Sequence, residues 1–372
     1  MALTKQVVLD RLAAIAGPDG RPLPACGVLS DIVISEGKVF FSLSVDAGAV
    51  QAWEPVRQRV EEAVRTIPGV ASVMVALTAE RKAGGTAQAA RLGSAGPARP
   101  GRPESPVGLP GVNAVIAVAS GKGGVGKSTT AINLALGLRD LGLKVGVLDA
   151  DIYGPSLPKL LAIRERPQTV GGTRLKPISR YGLTVMSIGF LIEEETPMIW
   201  RGPMVMSAIT QMLREVEWGA LDVMVVDMPP GTGDAQLTMA QQVPLAGAVI
   251  VSTPQDLALI DARRGIAMFK RVDVPVLGIV ENMSYFLCPH CGTRSDIFGH
   301  GGARREAERL DVPFLGEVPL DMTIRETSDS GLPVVAVRPD SEHAKIYREI
   351  ASRVHAQLQG ATRAAPKIVI EA

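Results

Sequence analysis

The chain has 372 residues, 46% of them hydrophobic, with 39 Lys and Arg against 38 Asp and Glu. That is enough apolar material for one large domain and a small one, and a net charge of +1 gives no electrostatic footprint for nucleic acid or an anionic membrane. No apolar run approaches the roughly 20 residues that span a bilayer, and "MALTKQVVLDRLAAIAG" lacks the apolar core of a signal peptide, so three cysteines point to a reducing, cytoplasmic setting.

Residues 1–80 read as a compact α+β domain. A helix is expected over Lys5–Ile15, strands at "LSDIVISEG" and "KVFFSLSVD" with a hairpin signal at "SEGK", a helix at "EPVRQRVEEAVRTI" and a strand at "ASVMVAL". Cys26, at the start of the first strand, reads as a packed thiol. Residues 81–111 are rich in Gly, Ala, Pro and Arg without apolar periodicity, the pattern of a flexible linker.

From residue 112 to 360, short β-branched runs alternate with helical patterns: "VNAVIAVAS", "KVGVLDAD", "LTVMSIG", "LDVMVVDMP", "AGAVIVSTP", "VPVLGIVENM" and "VPFLGEVP". They are apolar on successive residues, as strands are when helices cover both faces of a parallel sheet. The expected fold is α/β, a doubly wound, mainly parallel sheet. The tail, residues 361–372, is too short for a domain and is unassigned.

"VIAVASGKGGVGKSTTAINLALGL" sets Gly121, Lys122, Gly123, Gly124, Val125, Gly126, Lys127 and Ser128 between a strand and a helix, matching G-x-x-x-x-G-K-[ST] in its required context. Glycines let backbone N–H groups curl around phosphate oxygens, and the helix N-terminus adds positive potential. ATP is the expected ligand: Lys127 binds the β- and γ-phosphates, Ser128 ligates Mg²⁺ and Thr129 holds the α-phosphate. Asp149 and Asp151 in "VGVLDADIYGPS", and Asp227 in "VMVVDMPPGTGD", lie at strand ends where open α/β sheets place ligands. A carboxylate there holds Mg²⁺ through water or orients the attacking water. Asp227 is Walker B-like, and "GTGD" is a loop placed to sense the γ-phosphate. Lys122 is redundant within one subunit, so it is either a surface lysine or a group that reaches a nucleotide across a dimer interface. The second reading resembles the deviant phosphate loop of the group that includes MinD, ParA and the nitrogenase iron protein. That resemblance implies a trans-acting lysine and nucleotide-dependent dimerisation; it also gives Asp151 the water-orienting role and Asp149 a supporting one.

"CPHCG" places Cys288 and Cys291 in a loop before a helix that begins near Gly302. Two thiolates are half of a tetrahedral site. A thioredoxin-like dithiol, a half zinc ribbon completed by other ligands, and a cluster shared by two subunits are all compatible with the pair. His290 and His300 taken singly read as loop residues.

"GKGGVGKST", "LDADIYGPS", "DMPPGTGD", "ENMSYFLCPHCG" and "IFGHGGARREAE", in that order, resemble the Mrp/ApbC group of iron–sulfur carrier ATPases over roughly residues 112–358. The resemblance implies ATP hydrolysis coupled to assembly or transfer of a [4Fe-4S] cluster held by Cys288 and Cys291 of each protomer of a homodimer. It also implies adenine recognition by Asn282, and an assembly scaffold and client apo iron–sulfur proteins as partners, with no nucleic acid and no membrane. The alternative is a zinc-binding or MinD/ParA-like ATPase switch acting in positioning or metal delivery. Residues 1–80 resemble the iron–sulfur-assembly-associated domain often fused to these ATPases. "DAGAVQAWEP" stands where many such domains carry Cys-Pro, so the domain is expected to dock partners and not to bind metal.

Overall fold

A computed structural model of the chain describes residues 3–30, 32–35, 37–46, 49–70, 72–80, 108–170, 174–192 and 202–361. The expected linker up to residue 107 and the tail from residue 362 lie outside the described residues. The chain divides into two compact units, residues 1–104 with 196–208 and residues 105–195 with 209–372.

The first unit carries α1 (Lys5–Ala13), β1 (Val33–Ser35), β2 (Lys38–Asp46), α2 (Val50–Arg65) and β3 (Ser72–Glu80). β1 and β2 pair antiparallel, Val33 opposite Phe40; β2 and β3 pair parallel, so α2 is their crossover. Trp53, Val56, Val60 and Val64 recur at helical spacing on α2 and join Val8, Leu12, Val39, Phe41 and Leu43 in one apolar core. α2 begins at Val50, before the expected start at Glu54. Pro55 falls in its second turn, where it removes one N–H bond instead of opening the helix. Cys26 ends a 3₁₀ turn with its sulfur 3.5 Å from Asp19 Oδ1. Burial, then the Asp19 contact, pushes that thiol's pKa up, the opposite of what a reactive thiolate needs.

The second unit opens with β4 (Val112–Ala119), α3 (Lys127–Asp140), β5 (Val145–Asp149), α4 (Leu157–Leu160), β6 (Thr169–Val170), β7 (Arg174–Leu175), β8 (Ile178–Arg180) and β9 (Leu183–Ser187). Helix α5 (Gly202–Arg214), of which residues 209–214 fall in this unit, precedes β10 (Leu221–Asp227), α6 (Asp234–Gln242), β11 (Leu245–Ser252), α7 (Asp256–Arg271) and β12 (Val276–Asn282). Last come β13 (Phe286–Leu287), β14 (Arg294–Ser295), α8 (Gly302–Leu310), β15 (Phe314–Val318), α9 (Met322–Asp329), α10 (Val334–Val337) and α11 (Glu342–Ala361).

Eight strands form the central sheet in the order β15-β12-β11-β4-β10-β5-β9-β8. Every neighbouring pair is parallel except the antiparallel edge strand β8. This is the expected doubly wound, mainly parallel sheet. β5 is buried at every residue, and so are the last five residues of β4, which is why these strands read as unbroken apolar runs. Helices flank the sheet in two groups, α3 packing with α10 and α11, and α7 with α6 and α8.

From β4 the chain steps to β5 and β9 on one side, returns through β10, and continues to β11, β12 and β15 on the other. The C-terminal ends of β4, β10 and β5 therefore lie side by side. Register sets Asp227 opposite both Val118 of β4 and Asp149 of β5, at the strand ends where such sheets bind ligands. Among the described residues, no helix is long and apolar enough to cross a membrane.

Candidate functional site

The segment between β4 and α3 needs its glycines for two different reasons. Gly124 and Gly126 have φ of +80° each, a left-handed conformation that side chains resist. Gly121 and Gly126 also sit against other chain segments: a Cβ at Gly121 would lie 2.3 Å from the Asp261 carbonyl carbon, and one at Gly126 2.1 Å from Asn282 Nδ2. So pinned, the loop lines a cavity of about 300 Å³ together with Lys127, Ser128, Thr129, Asp151, Ser156 and Lys159. Lys122, Gly123, Gly124 and Gly126 line the same cavity.

Lys127 lies at the N-terminal end of α3 and is buried. Its Nζ donates to Asp227 Oδ1 at 2.6 Å and to Ser128 Oγ at 3.2 Å, and stands 3.9 Å from Asp151 Oδ2. The other oxygen of Asp227, Oδ2, is buried with no hydrogen-bond partner among the described residues, so a half-used carboxylate stands beside the Ser128 hydroxyl and the ammonium. An ordered water or a hydrated cation would complete it. Burial raises the pKa of Asp151, with Lys127 opposing and Asp227 reinforcing, which suits a group that must accept a proton.

Asp149 stands apart from the cavity lining and serves the loop that follows it. Its carboxylate accepts from the N–H of Asp151 at 3.2 Å, of Ser156 at 2.9 Å and of Leu157 at 3.1 Å, and from the Ser187 hydroxyl at 3.0 Å. Burial first, then the Asp227 charge in register beside it, pushes Asp149 up to about 7 against these donors. Asn282, at the end of β12, donates from Nδ2 to the Val125 carbonyl at 2.8 Å. The amide expected to read adenine is here bracing the phosphate loop from behind.

The cysteine pair lies between β13 and β14, at the tip of a two-stranded hairpin in which Leu287 faces Arg294. The Cys288 N–H donates to the Thr293 carbonyl at 3.0 Å, the Gly292 N–H donates to the Cys288 carbonyl at 2.8 Å, and Gly292 has φ of +70°. Cys288 is half-buried and Cys291 exposed. The Cys291 sulfur lies 3.1 Å from Thr293 Oγ1, and contacts with Thr293, then Cys288, hold its thiol below the usual pKa. The pair opens no helix. The one group of three potential ligands within 4.8 Å of one another among the described residues is Glu281, His300 and Glu317, which includes neither cysteine. Its carboxylates already have partners: Glu281 accepts from Ser284 Oγ and from the N–H groups of Gly301 and Ala303, and Glu317 pairs with Arg304.

Sequence reading missed Ser156, Lys159, Ser187 and Glu281. The only local signal was polarity in "YGPSLPK" beside a strand-end Asp; the roles of Ser187 and Glu281 depend on partners brought by the sheet.

A glycine loop between strand and helix, with a buried lysine held between two strand-end carboxylates over one cavity, defines a P-loop NTPase domain. A family model described as the ParA group's NUBPL iron-transfer P-loop NTPase matches residues 111–355, and the chain belongs to that family. A second model, for iron-sulfur cluster assembly proteins, matches residues 5–75. The chain is 55% identical over 243 residues to an iron-sulfur cluster transfer protein NUBPL from Dictyostelium discoideum, covering 65% of this chain and 75% of the relative. An iron-sulfur cluster carrier protein from Synechocystis is 43% identical over 95% of this chain and 97% of its own length. The carrier protein of Escherichia coli is 56% identical over 64% of this chain, which spans 65% of that relative's length. Among solved structures, a nucleotide-binding protein from Archaeoglobus fulgidus in complex with ADP is 43% identical with a TM-score of 0.54, covering 60% of this chain and 88% of that one. The cell-division ATPase MinD from Pyrococcus furiosus, 23% identical with a TM-score of 0.50 over 66% of this chain and 99% of its own, shares the fold.

Proposed function

We propose that this protein is a cytoplasmic, ATP-hydrolysing iron–sulfur cluster carrier that holds a [4Fe-4S] cluster between two subunits and passes it to apoproteins. The observation that carries the reading is the pairing of a complete phosphate-loop cavity with two thiols on an exposed hairpin of the same unit. The relatives named as carriers and the relative solved with ADP support it.

The chain's own groups suit MgATP. Lys127 would bind the β- and γ-phosphates, and the Asp227 carboxylate, whose Oδ2 has no partner among the described residues, and the Ser128 hydroxyl would hold the hydrated metal. Bound Mg²⁺ neutralises phosphate charge during transfer. Asp151, with its raised pKa, orients the attacking water and accepts its proton at a carboxylate oxygen. Thr129 holds the α-phosphate, and Lys122 reaches the nucleotide of the facing subunit.

The cluster is cargo. One hairpin supplies two thiolates, four are needed, and a two-fold axis through the hairpins supplies the rest. The lowered thiol pKa at Cys291 favours the thiolate that binds iron.

The function is tested by loading the protein anaerobically and measuring the activity gained by a [4Fe-4S]-requiring apoenzyme, with and without MgATP. Transfer that depends on Cys288, Cys291 and Lys127 is expected. Equal transfer by the Cys288→Ser/Cys291→Ser variant would refute the proposal.

A further inference from the structure

The thiols sit on a hairpin whose strands, β13 and β14, hold two residues each and pack chiefly on each other. A two-stranded hairpin is marginal by itself, so its direction depends on how it is tied down. The ascending side is tied by main chain: the Ser284 N–H donates to the Val318 carbonyl at 3.0 Å, and the Leu320 N–H to the Tyr285 carbonyl at 2.7 Å. The descending side is tied by one side chain. Among the described residues, Arg294 is the one member of the segment 286–296 whose side chain makes a hydrogen bond or ion pair reaching past the hairpin.

Arg294 meets several groups at once. Its Nε donates to Asp296 Oδ1 at 3.0 Å and its Nη2 to His300 Nδ1 at 2.8 Å, while Nη2 also stands 3.8 Å from Glu317 Oε2. The guanidinium lies over the Tyr285 ring, 4.3 Å from its centre. Glu317 belongs to β15 of the central sheet, in register with Glu281 of β12. His300 is held in turn, its carbonyl accepting from Arg305 Nη1 at 3.1 Å. Of the clustered Glu281, His300 and Glu317, the last two therefore face a guanidinium. A planar fork can serve such acceptors and a ring face together, which a lysine ammonium does not.

Successive residues of a strand point to opposite faces. Arg294 uses the face turned to Tyr285 and Glu317, so its neighbour Thr293 projects from the other. Thr293 is the residue that touches the thiols: its Oγ1 lies 3.1 Å from the Cys291 sulfur, and its carbonyl takes the Cys288 N–H. Holding Arg294 down thus turns the thiol side of the hairpin away from its own sheet. A cluster shared across a two-fold axis needs all its sulfurs fixed together, and any tilt of one hairpin is repeated in the other.

We propose that Arg294 is a positioning residue for cluster binding, pinning the cysteine hairpin to β15 and His300 so that Cys288 and Cys291 face a second chain. The proposal rests on the cluster-carrier reading above. Full-length wild type, Arg294→Ala, Arg294→Lys and Glu317→Gln, each reconstituted anaerobically with iron and sulfide, test it. The readouts are the visible circular dichroism of the bound cluster, which follows ligand orientation, and the rate at which a ferrous chelator removes its iron. Thermal melting and titration with MgADP report the fold, since Arg294 and Glu317 lie outside the lining of the phosphate-loop cavity.

Arg294→Ala is expected to lose iron about tenfold faster with altered dichroism and ADP affinity within about twofold, the effect of losing a charge-assisted network. Glu317→Gln is expected to lose iron about threefold faster. Arg294→Lys, which keeps the cation without the fork, is expected to fall between Arg294→Ala and wild type. Failure of Arg294→Ala to assemble any cluster while binding ADP normally also supports the proposal. Wild-type release or wild-type dichroism in Arg294→Ala overturns it, and so does ADP binding that weakens in step with iron loss. Wild type that assembles no cluster overturns the carrier reading and this one together. A loaded wild type that Arg294→Ala matches in both readouts upholds the carrier reading and refutes this one alone.

Discussion

Asp149 and Asp227 stand side by side on adjacent strands, and both are fully buried. Asp149 has a folded pKa of about 7 against 3.8 in the unfolded chain. Between those values the native state binds more protons, so the stability this group contributes is fully present below about 3.8 and is lost as pH rises through about 7. Thermal unfolding of the nucleotide-free protein is expected to show that decline, and Asp149→Asn to flatten it; an unchanged slope in the variant would refute the assignment. Lys127→Ala is expected to abolish ATP binding and, by leaving Asp227 buried without its cation, to cost about 3–5 kcal/mol of stability. Lys127→Ala/Asp227→Asn should recover much of that stability without recovering binding, as calorimetry and thermal melts would show. Asp151→Asn is expected to keep ATP affinity within about threefold while phosphate release slows about 100-fold. The ligand types were legible at this scale because the phosphate motif is contiguous. The bond from Asn282 to Val125 was not, since 157 residues separate the partners.

β12 carries adjacent residues that serve different parts of the unit. Asn282 braces the phosphate loop, while Glu281 takes the N–H groups of Gly301 and Ala303 at the start of α8, just beyond the cysteine hairpin. Glu281→Ala leaves those donors and the Ser284 hydroxyl unpaired, and is expected to cost about 2–4 kcal/mol in denaturant unfolding. A destabilisation below about 0.5 kcal/mol would show that water replaces the carboxylate. Gly126→Ala, which meets both a positive φ and the Asn282 amide, is expected to eliminate nucleotide binding more completely than it lowers stability. The seven quoted runs were legible as strands because they lie in a parallel sheet, buried throughout in β5 and in part at the edge strand β15. The start of α2 was not legible: Pro55 suits a first helical turn, and packing of Trp53 in the core accompanies a helix that begins earlier. The hairpin around Cys288 and Cys291 was equally hidden, since its strands are two residues each and its sequence reads as loop.

At the scale of the whole molecule, the sheet order converts separate motifs into one site. Because β10 lies between β4 and β5, two carboxylates far apart in sequence, Asp149 and Asp227, come into register; alternation of strands and helices announces the sheet but not that insertion. The cysteines belong to the same unit, and a second copy is proposed because one hairpin offers two thiols where a cluster takes four ligands. Lys122→Ala is expected to bind ADP normally yet fail to dimerise with AMPPNP, as sedimentation would report. The most direct measurement is anaerobic reconstitution of wild type and Cys288→Ser/Cys291→Ser with iron and sulfide, followed by metal and sulfide quantification and determination of mass. About four irons and four sulfides per two wild-type chains, absent from the variant, are expected. About one zinc per two chains without sulfide, or equal iron in the variant, would contradict the shared cluster.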